Sequence, residues 1–253
     1  MPITFIRGRP IKYEVKKHGG NMIFIEVKPN GILLKLPESL NKRPEEVIKE
    51  HEAEISKKLL LFENLERLAE RHAYDLRHRL LLLGEFVDLK VVLCPKREVK
   101  IGQDGIKVMA PSKEEAYSFL RETFKTMLRK IASELIDKFS AKLGIKPEGL
   151  RIVTHKRAWA SLTNKNIITI ALKSLALPPE YLKYVVAHEI THLVRRSHDK
   201  VTKMLVRTLA GSEVSLEDLT KYEFLVSKCV AWRKIIMTLQ RGRESKVKSV
   251  IDL

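Results

Sequence analysis

The chain has 253 residues, 44% hydrophobic and 31% charged, a composition that can fill a core and excludes disorder for the bulk of it. No run of 18 apolar residues is free of charge, which excludes a spanning helix, and residues 1–7 lack the features of a secretion signal. Cys94 and Cys229 stand far apart, so neither a disulfide framework nor a cysteine zinc site is on offer and the expected compartment is the cytoplasm, while 48 Lys and Arg against 31 Asp and Glu give a charge of +17 that favours polyanions such as nucleic acid.

Residues 11–15, 22–27 and 32–36 alternate with period two, and the breaks at His18-Gly19-Gly20-Asn21 and Pro29-Asn30-Gly31 are turn chemistry, which predicts a three-strand meander. Pro44, with Glu45 and Glu46 behind it, opens a helical pattern through Val47, Ile48, Ile55, Leu59 and Leu60 that runs on through Leu65 and Leu68. Apolar alternation returns between Leu80 and Ala110, with turns at Cys94-Pro95-Lys96 and Gly102-Gln103-Asp104-Gly105, and predicts a second group of short strands. Ser112 with Glu115 is a capping box, and the apolar positions from Ala116 to Phe139 repeat at three and four until Gly144, as a long amphipathic helix requires. Strands are expected at residues 150–155, 158–163 and 167–171, the last two joined by Asn164-Lys165-Asn166. Pro178 and Pro179 start the next helix; residues 201–209 and 216–239 are further helices, and the Lys/Arg-rich tail after Gln240 is expected to fray. No internal repeat is visible. The order predicts an α+β fold, with a β-rich region carrying one long helix over residues 1–110 and the chemistry in residues 111–253.

That chemistry is His188-Glu189-Ile190-Thr191-His192, an HExxH motif inside the proline-led helix. Positions i and i+4 lie one turn apart on one face, so both imidazoles can bind one zinc while Glu189 reaches a water in the open position. Val185, Val186, Ile190, Leu193 and Val194 make the helix apolar, and two His and a Glu buried there need a partner such as a metal. A third ligand at His198 requires the helix to end near Arg196-Ser197 and turn back, for which Ser197 and Asp199 suit the break. The competitors are Glu213 and Glu217. Gly211-Ser212-Glu213 reads as a helix break and Ser215 with Asp218 as an N-cap, so His198 is preferred.

Arg151-Ile152-Val153, Ala158-Trp159-Ala160-Ser161, Ile168-Thr169-Ile170, residues 178–187 and His188 to Leu193, followed by Ser197-His198, together resemble the YgjP-like zinc metallopeptidases, relatives of the SprT-like and WLM zincins. The likeness is strong from Ser112 to Leu209 and fainter over the N-terminal strands, where Arg7-Gly8-Arg9 also looks similar. It implies a zincin-like domain: a small twisted sheet above the HExxH helix, with a neighbouring strand as the upper rim of a cleft. By position it implies His188, His192 and His198 as zinc ligands and Glu189 as general base. The chain departs from the family pattern in four places: Ala158 and Ala160 replace the Arg and Gly of an RWGS tetrapeptide, Ser197 replaces the Asn before the last His, and the aromatic pair after it is replaced by Met204-Leu205 or its neighbours.

Other features read more plainly. Trp159 is expected in the core rather than at a contact, with the wall of the cleft as the alternative at this position. His51-Glu52-Ala53-Glu54-Ile55 is half a motif on a solvated helix, and Arg71, His72, Arg77, His78 and Arg79 make a charge-stabilised surface. Tyr181, Tyr184 and His155 are candidates to stabilise an oxyanion. The expected function is zinc-dependent peptide-bond hydrolysis of a protein or peptide substrate; the rival is a basic nucleic-acid-associated module on the same scaffold, as the SprT-like relatives suggest, with weak electrostatic binding.

Overall fold

The structure, a computed structural model, describes residues 1–102, 104–154 and 157–237. Among the described residues the chain divides into two compact units, one of residues 1–71 and one of residues 72–237. The predicted turn residue Gln103, the strand end at His155, and the helix end and tail from residue 238 lie outside the described residues. No helix among the described residues is long and apolar enough to cross a membrane.

The first unit opens with strands β1 (Ile3–Ile6), β2 (Arg9–His18), β3 (Phe24–Lys28) and β4 (Gly31–Pro37), followed by helices α1 (Pro44–Glu50) and α2 (Glu52–Arg71). The sheet order is β1-β2-β4-β3, with β2 and β4 parallel and the outer pairs antiparallel. This corrects the expected meander. The run Ile32-Leu33-Leu34 is buried on both faces, and such a strand belongs inside a sheet, so β4 lies between β2 and β3 instead of beside β3 alone. Ile6, Tyr13, Leu34, Leu36, Val47, Ile48 and Ile55 form the core of this unit. The helical pattern expected as continuous breaks at His51, whose ring nitrogen Nδ1 lies 3.0 Å from the Val47 carbonyl oxygen.

The second unit contains α3 (Ala73–His78), then β5 (Arg79–Leu82), β6 (Glu85–Leu93), β7 (Glu98–Gly102) and β8 (Gly105–Ala110), then α4 (Lys113–Leu143). The α4 ends are those the sequence marks: the Ser112 hydroxyl accepts from the Glu115 amide at 3.1 Å, and Gly144 closes the helix at φ 66°. A three-stranded sheet follows, of β9 (Gly149–Val153), β10 (Ala160–Leu162) and β11 (Ile167–Ala171), ordered β10-β11-β9. After a 3₁₀ turn at Leu172–Ala176 come α5 (Pro179–Thr191), α6 (Lys200–Ala210), α7 (Leu216–Lys228) and α8 (Val230–Met237). The helix expected from residue 216 onward is therefore two, parted at Cys229. Of the basic cluster, Arg79 bonds Asp88 at 2.7 Å and reaches Asp75, His72 Nδ1 lies 3.4 Å from Asp75, and the His78 ring packs on Tyr74.

A repeat the sequence hid becomes visible here. The sheet order β5-β6-β8-β7 has the same sequence of antiparallel, parallel and antiparallel pairings as β1-β2-β4-β3. Both first hairpins close on two residues of positive φ, Arg7-Gly8 and Leu83-Gly84. Both inner strands open on a glycine pressed against its parallel neighbour: a Cβ at Gly31 would lie 2.4 Å from the Lys12 carbonyl oxygen, and one at Gly105 2.5 Å from that of Asp88. The same four-strand plan occurs twice in the chain.

Candidate metal centre

Helix α5 starts on prolines because neither needs a helical N–H partner there, and Glu180 complements the positive helix end. Leu182, Val186, Ala187 and Ile190 are buried, so the helix is fixed along its length. His188 and His192 share one face. The helix stops at Thr191 with His192 as its cap, several residues before the expected Arg196-Ser197 break. The Arg195 amide folds back to the Thr191 carbonyl at 2.9 Å. The Arg195 guanidinium then holds both Ser197 Oγ and Asp199 Oδ2 at 3.0 Å, while Asp199 caps α6 by accepting from the Thr202 amide at 3.0 Å. Ser197 and Asp199 thus do form the turn, and it brings His198 back beside the helix.

One ligand nitrogen from each of His188, His192 and His198 lies within 4.8 Å of the other two, and the Nε2 atoms of His188 and His192 are 3.1 Å apart. Imidazoles on one tetrahedral zinc, at bonds of 2.0–2.1 Å, would place their nitrogens about 3.3 Å apart, so the three groups present fit a metal of that size. His192 Nδ1 sits 3.1 Å from the Arg195 carbonyl oxygen, which makes Nδ1 the proton-bearing nitrogen and leaves the Nε2 lone pair facing His188. Burial, and then the neighbouring His192 and His198, lower the His188 pKa to about 4, so its imidazole is neutral at neutral pH. All three rings are in contact, with centroids 4.6 to 5.3 Å apart.

Two cavities flank this cluster, and His188 and Glu189 line both. The first, about 320 Å³, is polar, with Ser161, His192, Arg196 and His198 in its wall. The second, about 310 Å³, has a largely apolar wall that includes Trp159, Tyr184, Val214, Leu216 and Leu219. Glu189 is buried, at 9% exposure. Strand β10 runs from one cavity to the other as the free edge of its sheet. The Ala171 amide donates to the Trp159 carbonyl and the Thr163 amide to that of Ile167, so by alternation Ala160 and Leu162 direct their own N–H and C=O to the open side.

Trp159 lines the second cavity, with the Lys173 ammonium 4.9 Å from its ring centre, so it is a wall residue and not core alone. Of the oxyanion candidates, Tyr184 lines the same cavity; burial, and to a lesser degree Glu213, raise its pKa and keep the phenol protonated. Tyr181 instead packs edge-on against Tyr222 and lines neither cavity, and His155 lies outside the described residues. Glu213 is exposed and paired with Arg207; Glu217 is exposed in the first turn of α7, whose cap is Ser215 accepting from the Asp218 amide at 3.0 Å. Neither joins the imidazole group. The sequence reading missed Arg196, which lines the polar cavity and donates to Asn164 Oδ1 at 3.4 Å and Asn166 Oδ1 at 3.3 Å, and the wall of Val214, Leu216 and Leu219. The only available signal was the i, i+3 spacing of the two leucines.

Residues 21–211 match the family model described as YgjP-like, metallopeptidase domain. The chain belongs to that family. The match spans strands of both four-stranded sheets and the whole imidazole cluster, and ends at Gly211. Neither the curated proteins nor the solved structures searched gave a match.

Proposed function

We propose that this chain is a zinc-dependent metallopeptidase, in which His188, His192 and His198 hold the ion and Glu189 is the general base. The observation that carries this reading is the convergence of three imidazole nitrogens at ligand spacing beside a buried Glu189. A bound zinc supplies Lewis acidity to the scissile carbonyl and to the attacking water. Glu189, at the junction of the two cavities, takes the proton of that water and passes it to the leaving amine. The open edge of β10 aligns an extended substrate by backbone hydrogen bonds. Ala158 and Ala160, standing where the family has Arg and Gly, leave that alignment to the backbone itself.

Metal analysis and one substitution test this together. The purified chain should carry about one zinc, as the tetrahedral ligand set requires. His192→Ala should lose it, and Glu189→Gln should keep zinc while losing about 10² to 10⁴ in hydrolytic rate. Full zinc in His192→Ala, or wild-type hydrolysis by zinc-loaded Glu189→Gln, would refute the assignment. The net charge of +17 supports a further, weak and sequence-indifferent adhesion to DNA, secondary to the hydrolytic site.

A further inference from the structure

The two cavities beside the imidazole cluster differ in chemistry. The second contains Val214, Leu216, Leu219, Trp159 and Tyr184 and no Lys, Arg or Asp. Leu216 is 63% exposed at its mouth, a large apolar side chain that the fold of the chain leaves uncovered. Val214, Leu216 and Leu219 also lie beyond residue 211, where the family match ends, so this wall is supplied by the chain's own later segment.

One buried ammonium joins the two walls. Lys173, 6% exposed, donates from Nζ to the Arg157 carbonyl and to both Glu223 carboxylate oxygens, each at 2.6 Å, and lies over the Trp159 ring. Arg157 and Trp159 belong to the strand side of the cavity; Glu223 belongs to α7, which carries Leu216 and Leu219. The walls are therefore held at a fixed separation by a charge-assisted clamp, and the cavity is preformed.

The direction of β10 says which part of a substrate meets it. The strand passes the apolar cavity at Ala160 and the polar one at Leu162. An extended chain pairing antiparallel with this edge, the more stable of the two pairings, runs the opposite way and carries its C-terminal half over the apolar cavity. Resting on the metallopeptidase reading above, we propose that this cavity is the specificity pocket for a large apolar side chain, such as Leu or Phe, on the residue that follows the cleaved bond.

The test is a binding series on the zinc-loaded wild-type chain, using succinyl hydroxamates whose side chain is hydrogen, isobutyl, benzyl or carboxymethyl, so that no turnover is needed. Isobutyl and benzyl should bind roughly 10- to 100-fold tighter than hydrogen, the gain expected for burying one such side chain, and carboxymethyl should show none. Leu216→Asp, at a position too exposed to threaten folding, and Leu219→Asp should each remove most of that gain, read as the ratio of affinities between the substituted and the hydrogen compound on the same variant. Equal affinity across the series overturns the pocket and leaves the metal reading standing, because the unsubstituted compound still binds. So does a gain that survives both substitutions. A gain seen only with aminoacyl hydroxamates, whose side chain precedes the metal-binding group, overturns the antiparallel direction and with it the proposal. Failure of the unsubstituted compound to bind zinc-loaded protein removes the metallopeptidase reading itself.

Discussion

The two four-stranded sheets share a plan but not a duty. In the first, the hairpin turn Arg7-Gly8 is open: nothing lies within 4 Å of where a Gly8 Cβ would be, and Ile3 and Phe5 on β1 are 55% and 69% exposed. In the second, the same turn is a docking point. The Leu83 and Gly84 amides donate to the Leu175 and Ala176 carbonyls at 2.8 and 3.0 Å, and a Gly84 Cβ would lie 2.9 Å from Pro178 Cγ. The free edge of β5 is covered as well, since the Trp232 indole donates to the Leu81 carbonyl at 2.6 Å. Leu81, the counterpart of Phe5, is 1% exposed. Pro178 is the residue from which α5 springs, so in the second unit the hairpin sets the start of the helix that carries His188. One scaffold, used twice, supports the site only where its turn is docked against the residues that precede α5.

The largest expected effect tests whether the shared plan is real. Gly31→Ala and Gly105→Ala each push a Cβ into a neighbouring backbone oxygen, and each should cost about 4 kcal/mol or more, read by chemical denaturation. The two should match in stability cost but differ in consequence: zinc affinity should fall for Gly105→Ala and stay unchanged for Gly31→Ala. Equal loss of zinc in both would break the contrast between the units.

Next in size are the two turns. Gly84→Ala combines positive φ with a clash against the Pro178 ring and should cost about 3 kcal/mol, whereas Gly8→Ala carries the φ cost alone, about 1 kcal/mol. Similar melting shifts for the two variants would show that docking on Pro178 contributes nothing.

A third expectation concerns acid. In the metal-free chain the folded-state pKa of His188 is about 4, below the ordinary 6.5, chiefly because of burial. The unfolded chain binds this proton first, so stability is lost as pH falls from about 6.5 through 4, by about 2 kcal/mol once residual solvent is allowed for. Hydrogen exchange should show the loss in amides of the second unit, and His188→Gln should abolish it. A loss of the same size in amides of the first unit would assign it to some other group.

How legible all this was depends on the range of the interactions involved. The ends of α4 were readable because Ser112, Glu115 and Gly144 act within one turn of themselves. The imidazole cluster was readable because i, i+4 spacing is a local property and the return of His198 needs only a short turn. The exact end of α5 was not, since it depends on the His192 ring meeting the Arg195 carbonyl. The placement of β4 was hidden by range, unlike that local contact: turns announce hairpins, but a parallel pairing such as β2 with β4 is closed by contacts between distant residues. The repeat escaped because it resides in geometry. Residues 5–16 and 81–92 share only a glycine (Gly8 and Gly84) and a valine (Val15 and Val91), and residues 31–37 and 105–111 share only a glycine, an isoleucine and a proline. The wall of Val214, Leu216 and Leu219 reaches the site only through tertiary packing.

The smallest expected effect again sets one unit against the other. Residues 1–71 hold 14 Lys and Arg against 11 Glu, so most of the net +17 belongs to the rest of the chain. Weak DNA adhesion should therefore arise from the second unit, with log affinity falling linearly with log salt, by about 0.9 per phosphate neutralised. The exposed Lys130, Lys138 and Lys142 lie along α4, while Lys12, Lys49 and Lys57 are exposed in the first unit. Replacing the first three by Gln should flatten the salt slope of duplex binding by about one or two, whereas the same change at the other three should leave it nearly unaltered, because residues 1–71 are close to charge balance as a whole. Each lysine is solvent-exposed, so neither triple variant should differ from wild type in fold or zinc content. A slope that responds equally to both sets would place the adhesion in the overall charge of the chain, and the second unit would then hold no electrostatic distinction beyond its metal site.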